Sequence, residues 1–210
     1  MNSEEERLNQ IRNIRNEEAY FFSNKGTEVR EKWIVSEFLT RLGVLYKSTE
    51  LISGEPASKI DISFRDASFQ IKEIPDQDIE RTKEARQLKE YADKADSIKA
   101  SFPPLKAKDI PLITDGYELA LNKSQSLSEN GQYPDHIRKS LDLLIYITRR
   151  RSSIIKRDRI NEDDFKGMGW RSISVLMGDK SNILYCHETS PEFLREKCNK
   201  KIQPMPKACG

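Results

Sequence analysis

SKIDISFRDASFQIKEI, residues 58 to 74, alternates apolar and polar side chains on both sides of the polar interruption RDAS. That is the pattern of two half-buried antiparallel strands around a tight turn. With Asp66 and Ala67 at the turn, Arg65 faces Ser68, Ser63 faces Gln70 and Asp61 faces Lys72. Side chains alternate across a strand and opposed residues share a face. Asp61, Ser63, Gln70 and Lys72 therefore gather on one side, and Ile60, Ile62, Phe64, Phe69 and Ile71 on the other. Two readings fit. The hairpin is an ordinary surface element whose Asp61 and Lys72 form an ion pair of little energetic weight, or its polar face is a compact working constellation.

Upstream, GTEVREKWIVSEFLTRLG (26–43) is the strongest amphipathic helix in the chain. Thr27 serves as N-cap, Trp33, Ile34, Phe38 and Leu42 recur at helical steps, and Gly43 terminates it. Residues 4 to 22 favour a helix with an irregular apolar stripe, and VLYKSTEL (44–51) has strand character. Downstream, 78 to 100 carries Ile79, Leu88, Tyr91, Ala95 and Ile98 at helical spacing until SFPPLKAKDIP stops it. A further helix spans Leu112 to Leu127, and DHIRKSL adds a helical turn. LDLLIYIT, Leu141 to Thr148, is a continuous apolar run, as expected of a strand buried on both faces. The polar stretch up to Gly169 reads as irregular. WRSISVLM and NILYCHE then flank GDKS as a second hairpin, and SPEFLREKCNKK forms a closing helix.

This order predicts a mixed α/β fold in which an antiparallel meander is joined by a helical crossover to a buried strand. The expected boundaries are an N-terminal helical appendage at 1–24, one main domain at 25–200 and a C-terminal tail at 201–210.

The chain has 210 residues, 36% hydrophobic and 33% charged, with a net charge of +2. Attraction to nucleic acid must then come from local clusters of charge, because the overall field is weak. No apolar run approaches the roughly 20 residues of a membrane span, and the acidic, polar N-terminus does not resemble a signal peptide. The expectation is a cytoplasmic protein that does not engage a membrane. Cys186, Cys198 and Cys209 are odd in number and lack CxxC spacing, so they read as reduced thiols. His136 and His187 read as structural or exposed, and Trp170 as core.

The set Asp61, Gln70-Ile71-Lys72, preceded by a glutamate-bearing core helix and followed by a buried strand, resembles the PD-(D/E)xK nuclease superfamily. In that superfamily an acid on one strand is followed on the next by an acid or glutamine, any residue, and lysine. The QxK form looks like Mrr-type restriction endonucleases, and the helix 26–43 is similar to the first helix of those enzymes and of archaeal Holliday-junction resolvases. The chain also resembles a small family of bacterial proteins of about this length that carry an endonuclease label. The likeness covers residues 26 to 74 in sequence and reaches Thr148 by topology alone. Isoleucine stands where the motif has proline, and Gln70 replaces a carboxylate, which lowers affinity for a divalent cation.

The resemblance implies a restriction-endonuclease-like mixed sheet with an αβββαβ core, plus an N-terminal helix, extra helices and a C-terminal hairpin. It also implies phosphodiester hydrolysis in DNA dependent on Mg²⁺ or Mn²⁺. Asp61, the Gln70 amide oxygen and the Ile71 carbonyl would hold the metal, with Glu31 from the helix; Glu28 and Glu37 are the alternatives to Glu31. Lys72 would orient the attacking water and stabilise negative charge. Arg149, Arg150, Arg151, Lys156 and Arg157 form a basic cluster after the buried strand, suited to backbone phosphates or to solvent. Cutting both strands of a duplex usually needs two active sites, so a homodimer is expected. The alternative is a catalytically silent nuclease-fold module that binds nucleic acid or a protein partner.

Overall fold

The structure is a computed structural model and describes residues 3–76, 80–104, 112–149 and 151–198. Arg150, Ile79, Cys209 and the expected tail 201–210 lie outside the described residues. The chain divides into two compact units, residues 1–30 with 77–111 and residues 31–76 with 112–210.

The first unit contains α1 (Glu4–Phe21), the first residues of α2 (Thr27–Leu42) and α3 (Arg81–Lys94). Ser3 and Glu6 form a reciprocal capping box at the start of α1. Arg12 reaches from α1 to the end of α3, donating to the carbonyls of Ala92 (3.2 Å) and Ala95 (2.8 Å). The Ala92 carbonyl also accepts from the Ala95 N–H at 3.4 Å, so the guanidinium supplements the C-cap of α3 from a neighbouring helix.

The second unit is built on a six-stranded sheet in the order β1-β2-β3-β5-β7-β8. Its strands are β1 (Ile52–Ser53), β2 (Ile62–Phe64), β3 (Ala67–Ile74), β5 (Asp142–Ile147), β7 (Ser172–Met177) and β8 (Lys180–Cys186). β1, β2 and β3 form an antiparallel meander, β3, β5 and β7 run parallel, and β8 returns antiparallel to β7. A small parallel pair, β4 (Thr114–Asp115) with β6 (Ser152–Ser153), lies apart from it. The remaining helices are α4 (Gly116–Glu129), α5 (Asp135–Arg138), α6 (Asp163–Lys166) and α7 (Glu192–Cys198). Among the described residues no helix is long and apolar enough to cross a membrane.

Both faces of the sheet are covered, which explains why β5 and β7 read as nearly unbroken apolar runs. One face carries Phe69, Ile71, Leu144 and Leu176 against Ile34, Val35, Phe38, Leu39 and Leu42 of α2. The other carries Leu143, Ile145, Ile173 and Val175 against Tyr117, Ala120 and Leu127 of α4, with Tyr133, Phe165 and Trp170. The mixed α/β class, the central hairpins and the buried strand follow the sequence pattern.

Three local expectations are corrected. VLYKSTEL makes no strand; it leads through a 3-10 turn at Ser48–Glu50 into the short β1. Thr27 lies inside α2 rather than capping it, because Ser23 caps the preceding 3-10 turn, which runs directly into the helix. Trp33 is 42% exposed, since the core-facing stripe of α2 runs through Ile34 and Val35, and its ring meets Tyr146 edge-on with centroids 5.9 Å apart.

Candidate active site on the β2–β3 hairpin

The hairpin register differs from the one read from sequence. Phe64 pairs with Ala67, Ser63 with Ser68 and Ile62 with Phe69, so the turn residues are Arg65 and Asp66. Arg65 accordingly takes a positive φ of 52°, a left-handed conformation that non-glycine residues seldom adopt. Tertiary contacts hold it there: its guanidinium donates to Glu50 Oε1 (3.2 Å) and the Leu45 carbonyl (2.8 Å) and lies over the Phe64 ring at 4.6 Å. That charge, with a bond from the Lys47 backbone, holds the Glu50 carboxyl below its ordinary pKa, the backbone bond being the larger cause.

The shift moves the pairing by an even number of residues, Ser63 meeting Ser68 in place of Gln70. Strand faces repeat every two residues, so the polar face survives although each partner changes. Ile60 is the exception, because it leaves the apolar set and packs against the cluster on the opposite face. The departure follows from the end of β2. The Asp61 amide donates to the Phe69 carbonyl (2.8 Å), and its carbonyl accepts from Gly54 N–H (2.9 Å). Gly54 is required there, since a Cβ would sit 1.7 Å from the Ile60 carbonyl oxygen.

Where β2 stops, the Asp61 side chain takes over the ladder. Its Oδ2 accepts from the backbone N–H of Ile71 (2.6 Å) and from Nε2 of Gln70 (2.5 Å). The same Gln70 Nε2 also donates to the Ile71 carbonyl at 3.4 Å. Gln70 is only 4% exposed, so its amide is enclosed within the site. Burial raises the Asp61 pKa, while the Ile71 N–H and the charge of Lys72 oppose that rise. A partly buried carboxylate whose pKa is raised by burial and opposed by a neighbouring charge is a functional-site candidate with a stated cause.

Asp61, Gln70 and Ile71 are thus brought together by direct bonds, and Lys72 acts on Asp61 through its charge. Glu31 lies one turn before Ile34 and Val35 on α2, whose stripe covers the face of β3 carrying Phe69 and Ile71, opposite Gln70 and Lys72. Glu28 is exposed, and Glu37 is paired to Arg41 at 2.8 Å. Among the described residues no group of three or more His, Cys, Asp or Glu side chains could hold a metal. The donors at Asp61 comprise one carboxylate with an amide and a backbone carbonyl.

Residues 3–205 match the family described as "Putative endonuclease, protein of unknown function (DUF1780)". The chain belongs to this family. A solved structure of a protein of unknown function from Pseudomonas aeruginosa strain PAO1, titled as of the monooxygenase superfamily, has a similar fold. It is 23% identical, has a TM-score of 0.55, and the match covers 95% of this chain and 94% of that one. At that identity the likeness speaks for the fold alone. No curated protein matches the chain.

Within this endonuclease-labelled family member, the basic cluster divides. Arg149 donates to Thr114 Oγ1 (3.2 Å) and Arg157 to the Cys198 carbonyl at the end of α7 (2.7 Å), so both guanidinium groups bind protein oxygens. Arg151 and Lys156 are exposed. Sequence reasoning missed Tyr133. Its ring is 1% exposed, tilted against Trp170 at 5.3 Å, and Lys72 Nζ lies over it at 5.5 Å from the centroid. Nothing local to Tyr133, in a loop before α5, signals that contact. Trp170 is core, its indole N–H donating to Ser128 Oγ at 3.0 Å.

Proposed function

We propose that this chain hydrolyses phosphodiester bonds in DNA with a divalent cation, as a PD-(D/E)xK nuclease whose motif reads Asp61, Gln70-Ile71-Lys72. With α3, β4 and α5 taken as additions, the order α2, β1–β2–β3, α4, β5, with β5 parallel to β3, supports a restriction-endonuclease-like αβββαβ core. The observation that carries the reading is the position of the Gln70 amide nitrogen, which donates to both Asp61 Oδ2 and the Ile71 carbonyl. Those are the two oxygens the motif would offer a metal, and an N–H donor bridges them.

The donor set fits a hard cation. Asp61 is a partly desolvated carboxylate whose ionised form burial disfavours, and Mg²⁺ is commonly held by one or two carboxylates with waters and substrate phosphate. Asp61, the Ile71 carbonyl and, after rotation of its amide, the Gln70 oxygen would hold Mg²⁺ or Mn²⁺. Glu31, on the helix over the opposite face of β3, would contribute only through bridging water. Bound there, the cation would supply charge neutralisation at the phosphate. Lys72 would orient the attacking water and stabilise the developing negative charge. Arg151 and Lys156 would track the DNA backbone.

A second reading, a silent module on the same fold, is favoured by one observation: Asp61 already has a structural task, satisfying the Ile71 N–H where β2 ends. Plasmid nicking in MgCl₂ or MnCl₂ decides between them. Nicking by the purified chain that is lost in Asp61→Ala and Lys72→Ala supports the nuclease. Nicking that survives both substitutions rejects this site, and metal-independent DNA binding without nicking supports the silent module.

A further inference from the structure

Lys72 is not the only ammonium group at the Tyr133 ring. Lys59 Nζ lies 5.6 Å from the same centroid at which Lys72 Nζ lies 5.5 Å away. Lys59 stands two residues before Asp61 on an exposed bend, and Ser58 Oγ accepts from the Ile60 N–H (3.0 Å) just beyond it. Two cations thus share one buried aromatic ring beside a single, partly buried carboxylate. The ring explains why each is drawn there, since the negative face of an aromatic attracts ammonium groups within about 6 Å. It does not neutralise them, so their mutual repulsion persists. Local charge is positive at Lys59, Lys72 and Asp61 taken together, and a bound divalent cation would make it more so. A polyanion with regularly spaced charges relieves this arrangement.

We propose that Lys59 binds a phosphate next to the scissile one on the same DNA strand, and so positions the strand that Lys72 and Asp61 act upon. That the neighbouring phosphate is the scissile one rests on the nuclease reading, but the phosphate contact itself does not. Lys59 is a positioning residue, holding the strand from outside the buried part of the site. Lys72 sits on β3, two residues after Gln70, and its charge acts on Asp61. Tyr133 is the shared platform, kept rigid by Trp170 and by Arg138 Nη1, which donates to the Tyr133 carbonyl (2.6 Å).

The test compares the full-length wild type, Lys59→Ala and Lys59→Arg, each checked for an unchanged melting temperature. Binding to a duplex oligonucleotide is measured in EDTA across a salt series, and nicking kinetics are measured in MnCl₂. Loss of one phosphate contact lowers the slope of log K against log salt by about one. Lys59→Ala is expected to show that drop and Lys59→Arg to restore it. In the kinetic arm Lys59→Ala is expected to raise KM about tenfold while kcat stays within about twofold. An unchanged salt slope in Lys59→Ala, or no binding of DNA by the wild type, overturns the inference. Absence of nicking by the wild type, with the slope change present, overturns the nuclease reading and leaves the phosphate contact standing.

Discussion

The amide nitrogen of Gln70 donates to the Asp61 carboxylate at 2.5 Å and also reaches the Ile71 carbonyl at 3.4 Å, so an N–H donor stands where the motif would seat a cation. A carboxylate at position 70 removes that donor and adds a second negative charge. Gln70→Glu is expected to bind Mn²⁺ at least about tenfold more tightly by calorimetry, a gain of about 1.4 kcal/mol. Without metal two close carboxylates repel, so its melting temperature should fall below that of the wild type and recover as MnCl₂ is added. A metal response equal to that of the wild type would remove Gln70 from the site.

The pH dependence at Asp61 has a definite sign. Its folded-state pKa is raised chiefly by burial. The folded chain therefore holds this proton more tightly than the unfolded chain, and stability declines as pH rises through the elevated value. Above that value the wild type carries a destabilising charge that Asp61→Asn lacks, while Asn can still accept from Ile71 N–H. At pH 7 to 8 in EDTA, Asp61→Asn should melt no lower than the wild type. The difference should shrink below about pH 4, where an ordinary carboxylate is protonated. Added MnCl₂ should raise the melting temperature of the wild type alone. Scanning calorimetry at several pH values checks all three.

A second buried carboxylate has a structural role. Asp142 is fully buried at the start of β5 and accepts from both sides of Arg171, with Nε at 3.1 Å, from Ser172 Oγ (2.8 Å) and from Ser68 N–H (2.9 Å). Arg171 also donates to the Asp66 carbonyl at 3.1 Å, so the pair fastens the β2–β3 turn to the parallel strands. Burial pushes the Asp142 pKa up and Arg171 resists. Arg171→Met leaves an uncompensated charge and should cost about 3–5 kcal/mol in urea unfolding. That deficit should narrow as pH falls and the carboxyl takes up a proton. The double variant Asp142→Leu with Arg171→Met should recover much of the loss.

Gly54 links the edge strand to the site. A Cβ there would lie 1.7 Å from the Ile60 carbonyl oxygen, a backbone atom with little room to give, and its N–H holds the Asp61 carbonyl at 2.9 Å. Gly54→Ala should cost at least about 2 kcal/mol by chemical denaturation, and should weaken the Mn²⁺ response along with stability. An alanine variant of wild-type stability would show that β1 does not hold Asp61 in place.

Much of this architecture was legible locally. The unbroken apolar run of β5 announced a strand covered on both faces, and the two-residue period of the hairpin separated Asp61, Gln70 and Lys72 from Phe69 and Ile71. That separation withstood an error in register, because an even slide preserves the strand faces; Ile60, beyond the end of β2, is the residue that changed sides. The slide itself was not legible. It depends on Arg65 accepting a left-handed backbone, which Glu50 and the Leu45 carbonyl make tolerable from the preceding segment.

Sequence by itself determined the class of fold, the strands that carry the candidate motif and the family to which the chain belongs, since each is written in short-range periodicity or in residue order. Only the tertiary structure decided what the motif residues touch. It turned the Gln70 amide toward Asp61, placed Glu31 on a helix covering the opposite face of β3, bound Arg149 and Arg157 to protein oxygens, and set Lys59 and Lys72 on the ring of Tyr133. The physical reason is that hydrogen bonds and charges are satisfied by whichever groups packing brings within reach, and those partners are distant in sequence and leave no local pattern to read.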